Sequence, residues 1–256
     1  MSERGTIVGV DVGGTFTDVF TLDQKSGACA VAKVPTTPEN QAEGFAAGIA
    51  AVADPAACAT VVHGTTVGTN ALLERKGAPT GIITTAGFRD VLEMRRRDRP
   101  DTWGLWGQFE PVVSRERRLE VTERTLADGT VHTPVEIAEV RAAAEVLLAA
   151  GVQAVAIFFV NAYANPANER AALAALREVW PNDHVNISSD ILPEIREFER
   201  ASTTALNAYL QPLIGDYLHR LESSLSERGF AGEILIVQSN GGVMSVDSAR
   251  QRPIRT

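Results

Sequence analysis

Several features that would assign a chain quickly are scarce here. Only two cysteines, Cys29 and Cys58, occur in 256 residues. No Cys-x-x-Cys or Cys/His ligand spacing is present, which excludes a disulfide framework and argues against a structural zinc site. So little cysteine fits a reduced, cytoplasmic setting. Positive charge is not in excess: 24 Lys and Arg stand against 32 Asp and Glu, a net charge of −8. That argues against general affinity for nucleic acid or anionic membrane. The longest apolar run, AVAIFFV at 154–160, is too short to span a bilayer. The opening MSERGTIVGVDVGG has no signal-peptide core, so the sequon at Asn186 is expected to carry no glycan. No Gly-Lys-Ser or Gly-Lys-Thr exists, which removes the Walker type of phosphate loop. Internal repeats and low-complexity linkers are also absent.

What is present reads as alternating strands and helices. TIVGVDV (6–12), TDVFTL (17–22) and CAVAKV (29–34) are β-branched or alternating and bounded by turn residues, which predicts an antiparallel meander. A helix follows, with Thr37 as its cap and Pro38 in its first turn. ATVVHG (59–64), a helix over 65–78 closing near Gly77, and TGIITT (80–85) suggest a parallel βαβ unit. Residues 86 to about 130 are irregular and read as an inserted lobe. Thr133 and Glu136 form a capping box with Pro134 at the first helical position, and Gly151 closes that helix. A buried strand at 152–160, a helix at 165–180 capped by Asn165, and a strand at 184–189 come next. A helical region over 193–228, interrupted near Pro212, leads to a strand at 233–239 and a turn at 240–242.

The stretch VGVDVGGTFTDVF (8–20) carries the sharpest chemistry. A Rossmann turn needs spaced glycines opening a helix, whereas Gly13 and Gly14 are adjacent and precede a strand. A strand–turn–strand remains. Glycines there let backbone N–H groups approach an anion closely, and Thr15 and Thr17 add hydroxyls. Asp11 beside a phosphate makes physical sense with Mg²⁺ between them, or as a general base. An ordinary glycine hairpin fits the spacing equally well.

The Asp-x-Gly-Gly-Thr-x-Thr-Asp cluster resembles the first phosphate motif of the actin-like, sugar-kinase and heat-shock-70 ATPases. Together with VVHGTTVGTNALLERKGAPTGIITTAGFRDVLEMRR (61–96), PEIREFERASTTALNAYLQP (193–212) and VQSNGGVMS (237–245), it resembles the hydantoinase A / 5-oxoprolinase family, which includes ketone carboxylase subunits. The resemblance implies an α/β, RNase H-like (actin-like ATPase) mixed sheet flanked by helices, with an additional α/β lobe. It implies ATP and Mg²⁺, a small-molecule cyclic amide substrate and a hydantoinase B-type subunit as partner. On this match Asp11 is the Mg²⁺-side carboxylate and catalytic with Thr17. Gly13, Gly14, Thr15 and Thr17 cradle phosphate, and Asp18 either joins them or anchors the turn. The expected division is 1–85 (phosphate-binding subdomain), 86–190 (lobe) and 191–256 (helix and strand returning to the core). The family continues into a second actin-like half with the second phosphate motif. This piece is expected to resemble the first half and to be inactive alone, or else to serve as a non-catalytic domain.

Other residues carry weaker signals. Thr65, Thr66 and Asn70 sit at a strand-to-helix junction where they would face the cleft, Thr65 and Thr66 as cofactor-binding residues, with His63 nearby as donor or proton shuttle. Equally, Thr65 is an ordinary helix cap and His63 a satisfied core histidine. Arg95, Arg96, Arg97 and Arg99 suit a carboxylate ligand or a solvated face paired with Asp98 and Asp101. Ile195, Phe198, Ala201, Ala205 and Leu206 read as core, and Glu197, Glu199 and Arg200 as surface ion pairs. Trp103 and Trp106 suit a contact or a lid, and SNGG (239–242) either a turn or a close backbone approach.

Overall fold

The computed structural model describes residues 5–13, 15–36, 41–96, 103 and 109–256, with the backbone alone for 41–43. It divides into two compact units, Met1–Glu74 with Leu213–Thr256, and Arg75–Pro212. The expected helix cap at Thr37 and Pro38 lies outside the described residues, as do Gly14, Arg97, Arg99 and Trp106.

Unit one begins with the meander. β1 (Thr6–Val12), β2 (Phe16–Asp23) and β3 (Cys29–Pro35) pair antiparallel in sequence order. Their alternation sorts the faces: Val8, Val10, Val12, Thr17, Val19 and Thr21 are buried, whereas Asp11, Asp18 and Phe20 are exposed. α1 (Gln41–Ala50) packs on the buried face, with Gly48 close to Val19 and Val34. β4 (Cys58–Thr65) lies parallel to β1 on its other side. α2 (Val67–Leu73) then ends well before Gly77, because Arg75 takes a left-handed φ of 56°.

Unit two starts at Arg75, and its sheet is wholly parallel. β5 (Thr80–Thr85), α3 (Val91–Met94), β6 (Arg118–Val121) and the hairpin β7 (Arg124–Thr125) and β8 (Val131–Thr133) come first. α4 (Ile137–Ala149), β9 (Ala154–Phe158), α5 (Ala167–Arg177), β10 (Val185–Ile187) and α6 (Ser188–Ile191) follow. The strand order is β10-β9-β5-β6. Every residue of β5 and β9 is buried, as a parallel sheet covered on both faces requires. One face packs Ile83, Val155 and Ile157 against Leu147 of α4 and Leu176 of α5. The other packs Ile82, Ala156 and Phe158 against Ala201, Ala205 and Ala208.

Those alanines belong to α7 (Glu197–Glu227), a 31-residue helix whose last part, from Leu213, belongs to unit one. It runs through Pro212 without interruption, contrary to the expected break. A proline deletes one backbone hydrogen bond, but Leu210, Ile214, Tyr217 and Leu218 are buried on either side of it. β11 (Glu233–Val237), β12 (Val243–Ser245) and α8 (Val246–Gln251) complete the first unit. Its sheet runs β12-β11-β4-β1-β2-β3, with β4 and β11 parallel to β1 and β2 antiparallel to it. This is the mixed, RNase H-like sheet flanked by helices that was expected.

Three local readings differ from expectation. β5 joins the second sheet and not β4, so unit one ends at Glu74 where 85 was expected, and residues 213–256 alone rejoin it where 191–256 was expected. α4 is capped by Glu136, whose carboxylate accepts from Ala138 N at 3.3 Å, while Thr133 is consumed by β8. Ile195 is 62% exposed and Arg200 fully buried, the reverse of the expected core and surface assignments.

Candidate functional site

The central strand β1 ends at one edge of the first sheet, and the candidate residues gather around that end. Asp11 points to the exposed face and is paired across the sheet with Asp18 on β2 and Gly64 on β4. A Cβ on Gly64 would stand 3.3 Å from Asp11 Oδ1, so glycine there leaves the carboxylate room. Asp18 is ion-paired with Lys33 at 3.0 Å, one strand further on. Asp18 is thus tied to the neighbouring strand, and Lys33 offsets the like charge set opposite Asp11.

The turn after β1 is closed from within. Gly13 N–H donates to Phe16 O at 3.0 Å, so it is not available to an anion. Thr36, at the end of β3, clips the turn twice: its N–H donates to Thr15 O at 2.9 Å and its hydroxyl to Gly13 O at 2.9 Å. That uses the only proton of the Thr36 hydroxyl. Thr17 Oγ1, 3.1 Å away, must then donate to it. Thr17 is fully buried beneath the turn. It is expected to touch phosphate; in the fold its side of the strand faces α1 and its hydroxyl bonds Thr36. Thr15 is exposed, and Gly14 lies outside the described residues.

Thr65 is paired with Val12 at the same sheet edge, so the turn at 13–15 and the junction at 65–66 are neighbours. Thr65 accepts from Val67 N at 3.2 Å, the ordinary capping role. Thr66 is exposed, and its hydroxyl accepts from Asn70 Nδ2 at 3.4 Å. Asp11, Asp18, Thr15 and Thr66 are thus the expected site residues that are exposed near this end of the sheet.

His63 takes the core reading. It is fully buried, with Nδ1 3.4 Å from Val10 O and Nε2 2.7 Å from the Tyr217 hydroxyl. A carbonyl only accepts, so Nδ1 carries the proton and Tyr217 donates to Nε2. Burial pushes the imidazole down to about 4, and burial likewise raises the Tyr217 phenol. Phe45 meets the ring edge-on at 4.7 Å. A neutral, enclosed imidazole cannot shuttle protons to a ligand. SNGG also takes the plain reading: Gly241 has φ 86° in a hairpin turn closed by Gln238 N donating to Gly242 O at 2.7 Å.

Sequence reasoning missed Thr36, Lys33 and Tyr217. Thr36 and Lys33 act through strand register and Tyr217 through helix packing 154 residues from His63, and no local motif announces either. Among the described residues no group of three or more His, Cys, Asp or Glu could hold a metal ion. Magnesium needs less, since one or two carboxylates suffice when phosphates complete its shell. The exposed Asp11 fits that requirement. No helix among the described residues is long and apolar enough to cross a membrane.

The family model for the hydantoinase/oxoprolinase N-terminal region matches residues 7–180, and that for hydantoinase/oxoprolinase matches 200–256. The chain belongs to the hydantoinase/oxoprolinase family. The caprolactamase subunit alpha of Pseudomonas jessenii is 35% identical over 99% of this chain and 38% of its own length. A solved structure of the ATP-dependent caprolactamase of that organism superposes with a TM-score of 0.81 and 34% identity, over 93% of this chain and 36% of that one. A 5-oxoprolinase of Dictyostelium discoideum is 27% identical over 94% of this chain and 22% of its own length. A nucleotide-free acetone carboxylase, whose carboxylation is ATP-dependent, superposes with a TM-score of 0.83 and 27% identity, over 99% of this chain and 39% of that one. The chain therefore spans well under half the length of these relatives.

Proposed function

We propose that unit one holds the phosphates of Mg²⁺–ATP at the β1 edge, within a longer protein that activates the carbonyl of a cyclic amide. The observation that carries this reading is Asp11, an exposed carboxylate at the end of a buried central strand, beside a turn clipped by Thr36. In the proposal, Asp11 holds Mg²⁺ directly or through water, and the ion when bound would neutralise charge between carboxylate and phosphates. Thr15 and Thr66 face the phosphates as donors. Thr17, Thr36 and Lys33 fix the hairpin that presents them, with Asp18 as its anchor.

An amide carbonyl resists water because its nitrogen lone pair is delocalised onto oxygen. Phosphorylating that oxygen removes the protection, so what remains for the protein is alignment and charge neutralisation. Two relatives, the caprolactamase and the 5-oxoprolinase, are named for lactam substrates. The caprolactamase relative is named as a subunit, which supports a separate or fused B-type partner. The acetone carboxylase superposition supports a second reading, a ketone carboxylase subunit using the same phosphate edge. Phosphate release that requires both bicarbonate and a ketone would select it. The test of the first reading is Asp11→Ala in the complete enzyme with its partner. Loss of Mg²⁺–ATP-dependent ring opening is expected, and unchanged turnover would sink the assignment.

A further inference from the structure

The two faces of unit one's sheet are treated differently. On one, α1 lies against Thr17, Val19 and Val34, and the later part of α7 reaches His63 through Tyr217. The opposite face stands open, with Phe20 47% and Val31 72% exposed. An open face is unexpected for these strands. β1, β4 and β11 run parallel to one another, and parallel strands are normally covered on both faces. Those of unit two, β5 and β9, are buried throughout.

The open face is also shaped. Strand register places Phe20, Gly9 and Val62 side by side across β2, β1 and β4, with Asp18, Asp11 and Gly64 in the next row. The two glycines lower the floor along β1 and β4. Phe20 and Val31 rise on one side and Val237 on the other, around a trough of about 520 Å³. Walls on β2 and β11 stand three strand spacings apart, about 14 Å, which admits an α-helix about 10–12 Å across.

Gly9 has no explanation within the unit itself. Its φ is not in the left-handed region, and a Cβ there would meet only Phe20 O, at 4.0 Å. Glycine inside a strand weakens it, and such a residue marks a place where another chain segment comes close.

We propose that this trough receives an apolar α-helix from the part of the longer protein outside residues 1–256, with a small residue set over Gly9. The supply of chain is large, since this chain covers 38% of the caprolactamase subunit alpha and 39% of the acetone carboxylase chain. A helix on the same polypeptide docks at a high effective concentration. A second copy laid face to face would bury Asp11 and Asp18 together with their equivalents, at a like-charge cost. A helix along the trough leaves both acids at its open end. The inference goes beyond the phosphate-site reading and does not rest on it.

The test is maleimide labelling of the full-length protein carrying Phe20→Cys, read by peptide mass spectrometry. Lys25→Cys, in the exposed turn after β2, is the reference. Phe20→Cys is expected to react at least about tenfold more slowly than Lys25→Cys in the native protein, and at the same rate in urea. Gly9→Val is the second variant. On an open face valine favours a strand and has room, so thermal unfolding would hold or rise. Beneath a helix it clashes, and a fall of at least about 2 °C is expected in the full-length protein. Equal labelling at the two cysteines, or an unchanged or raised unfolding temperature for Gly9→Val, would overturn the proposal. So would protection of Phe20→Cys that appears only on dimerisation or only when a separate subunit is added.

Discussion

The two units treat charge in opposite ways. At the β1 edge of unit one, Asp11, Thr15 and Thr66 stand exposed. In unit two several charges are enclosed and hydrogen-bonded. Glu169 is fully buried and accepts from Phe159 N at 3.0 Å, Ser188 Oγ at 2.5 Å and Ser189 N at 2.9 Å. Arg200, also fully buried, donates to Phe159 O at 2.9 Å and stacks over Phe158 at 4.9 Å. Glu123 accepts from Thr85 and, at 2.7 Å, from Asn168. Buried charges held by hydrogen bonds in this way organise a fold, although Arg200 Nε finds no hydrogen-bond partner among the described residues. Open ones at a strand end keep their hydration in the fold and remain accessible to a ligand.

That contrast predicts opposite mutational signatures. Asp11→Ala should abolish turnover of the complete enzyme while thermal unfolding stays within about 0.5 kcal/mol of wild type, as for an exposed polar position. Arg200→Ala should do the reverse. Removing one member of a buried charged network costs about 3–5 kcal/mol, read from urea unfolding, and should leave any surviving folded fraction able to bind nucleotide. If Arg200→Ala were thermally neutral, the buried network would not be the scaffold described.

Acid should also separate the units. His63 has an ordinary value of 6.5 and is pushed by burial to about 4. Below about 6.5 the unfolded chain takes up a proton that the folded chain refuses until about pH 4. Its contribution is therefore complete above 6.5 and lost as pH falls through that window, by up to about 3 kcal/mol. Burial raises Glu123 and Glu169 instead. Their folded forms hold protons more tightly than the unfolded chain, so they return stability as pH falls toward 4.5. Unfolding free energy measured from pH 7 to 4 should fall, and His63→Gln should flatten that fall. Asn substitutions at the glutamates would not flatten it.

A smaller effect is expected at the clip. Thr36→Val removes the hydroxyl that ties Gly13 O to Thr17, at a cost of about 1 kcal/mol. It should weaken nucleotide affinity more than it lowers stability, because the turn loses its fixed shape. Lys33→Ala breaks a half-exposed pair with Asp18 and should change stability by less than about 1 kcal/mol.

Much of this was legible in the sequence. The meander, the sheet class and the phosphate-turn candidates followed from alternation, glycines and the family blocks. Where local pattern decides burial, the reading held, as in the buried strand at 154–158. It failed where tertiary packing overrides pattern. Pro212 sits in a continuous helix because its neighbours are buried, and Arg200 is interior because carbonyls and aromatic rings receive it. Gly77 is a glycine for packing and not for capping, since a Cβ there would stand 2.1 Å from the Tyr209 ring. At the site, residue types named the candidates, but only register distinguished Thr15, which is open, from Thr17, which is enclosed.

The most direct measurement is titration of the full-length protein with ATP, with and without Mg²⁺, for wild type and Asp11→Asn. Asparagine keeps the size of the side chain and removes its charge. Mg²⁺-dependent tightening in wild type that disappears in Asp11→Asn, with unchanged thermal unfolding, is the predicted result. Equal Mg²⁺–ATP affinity in both proteins would contradict the placement of Asp11 at the metal and the phosphates.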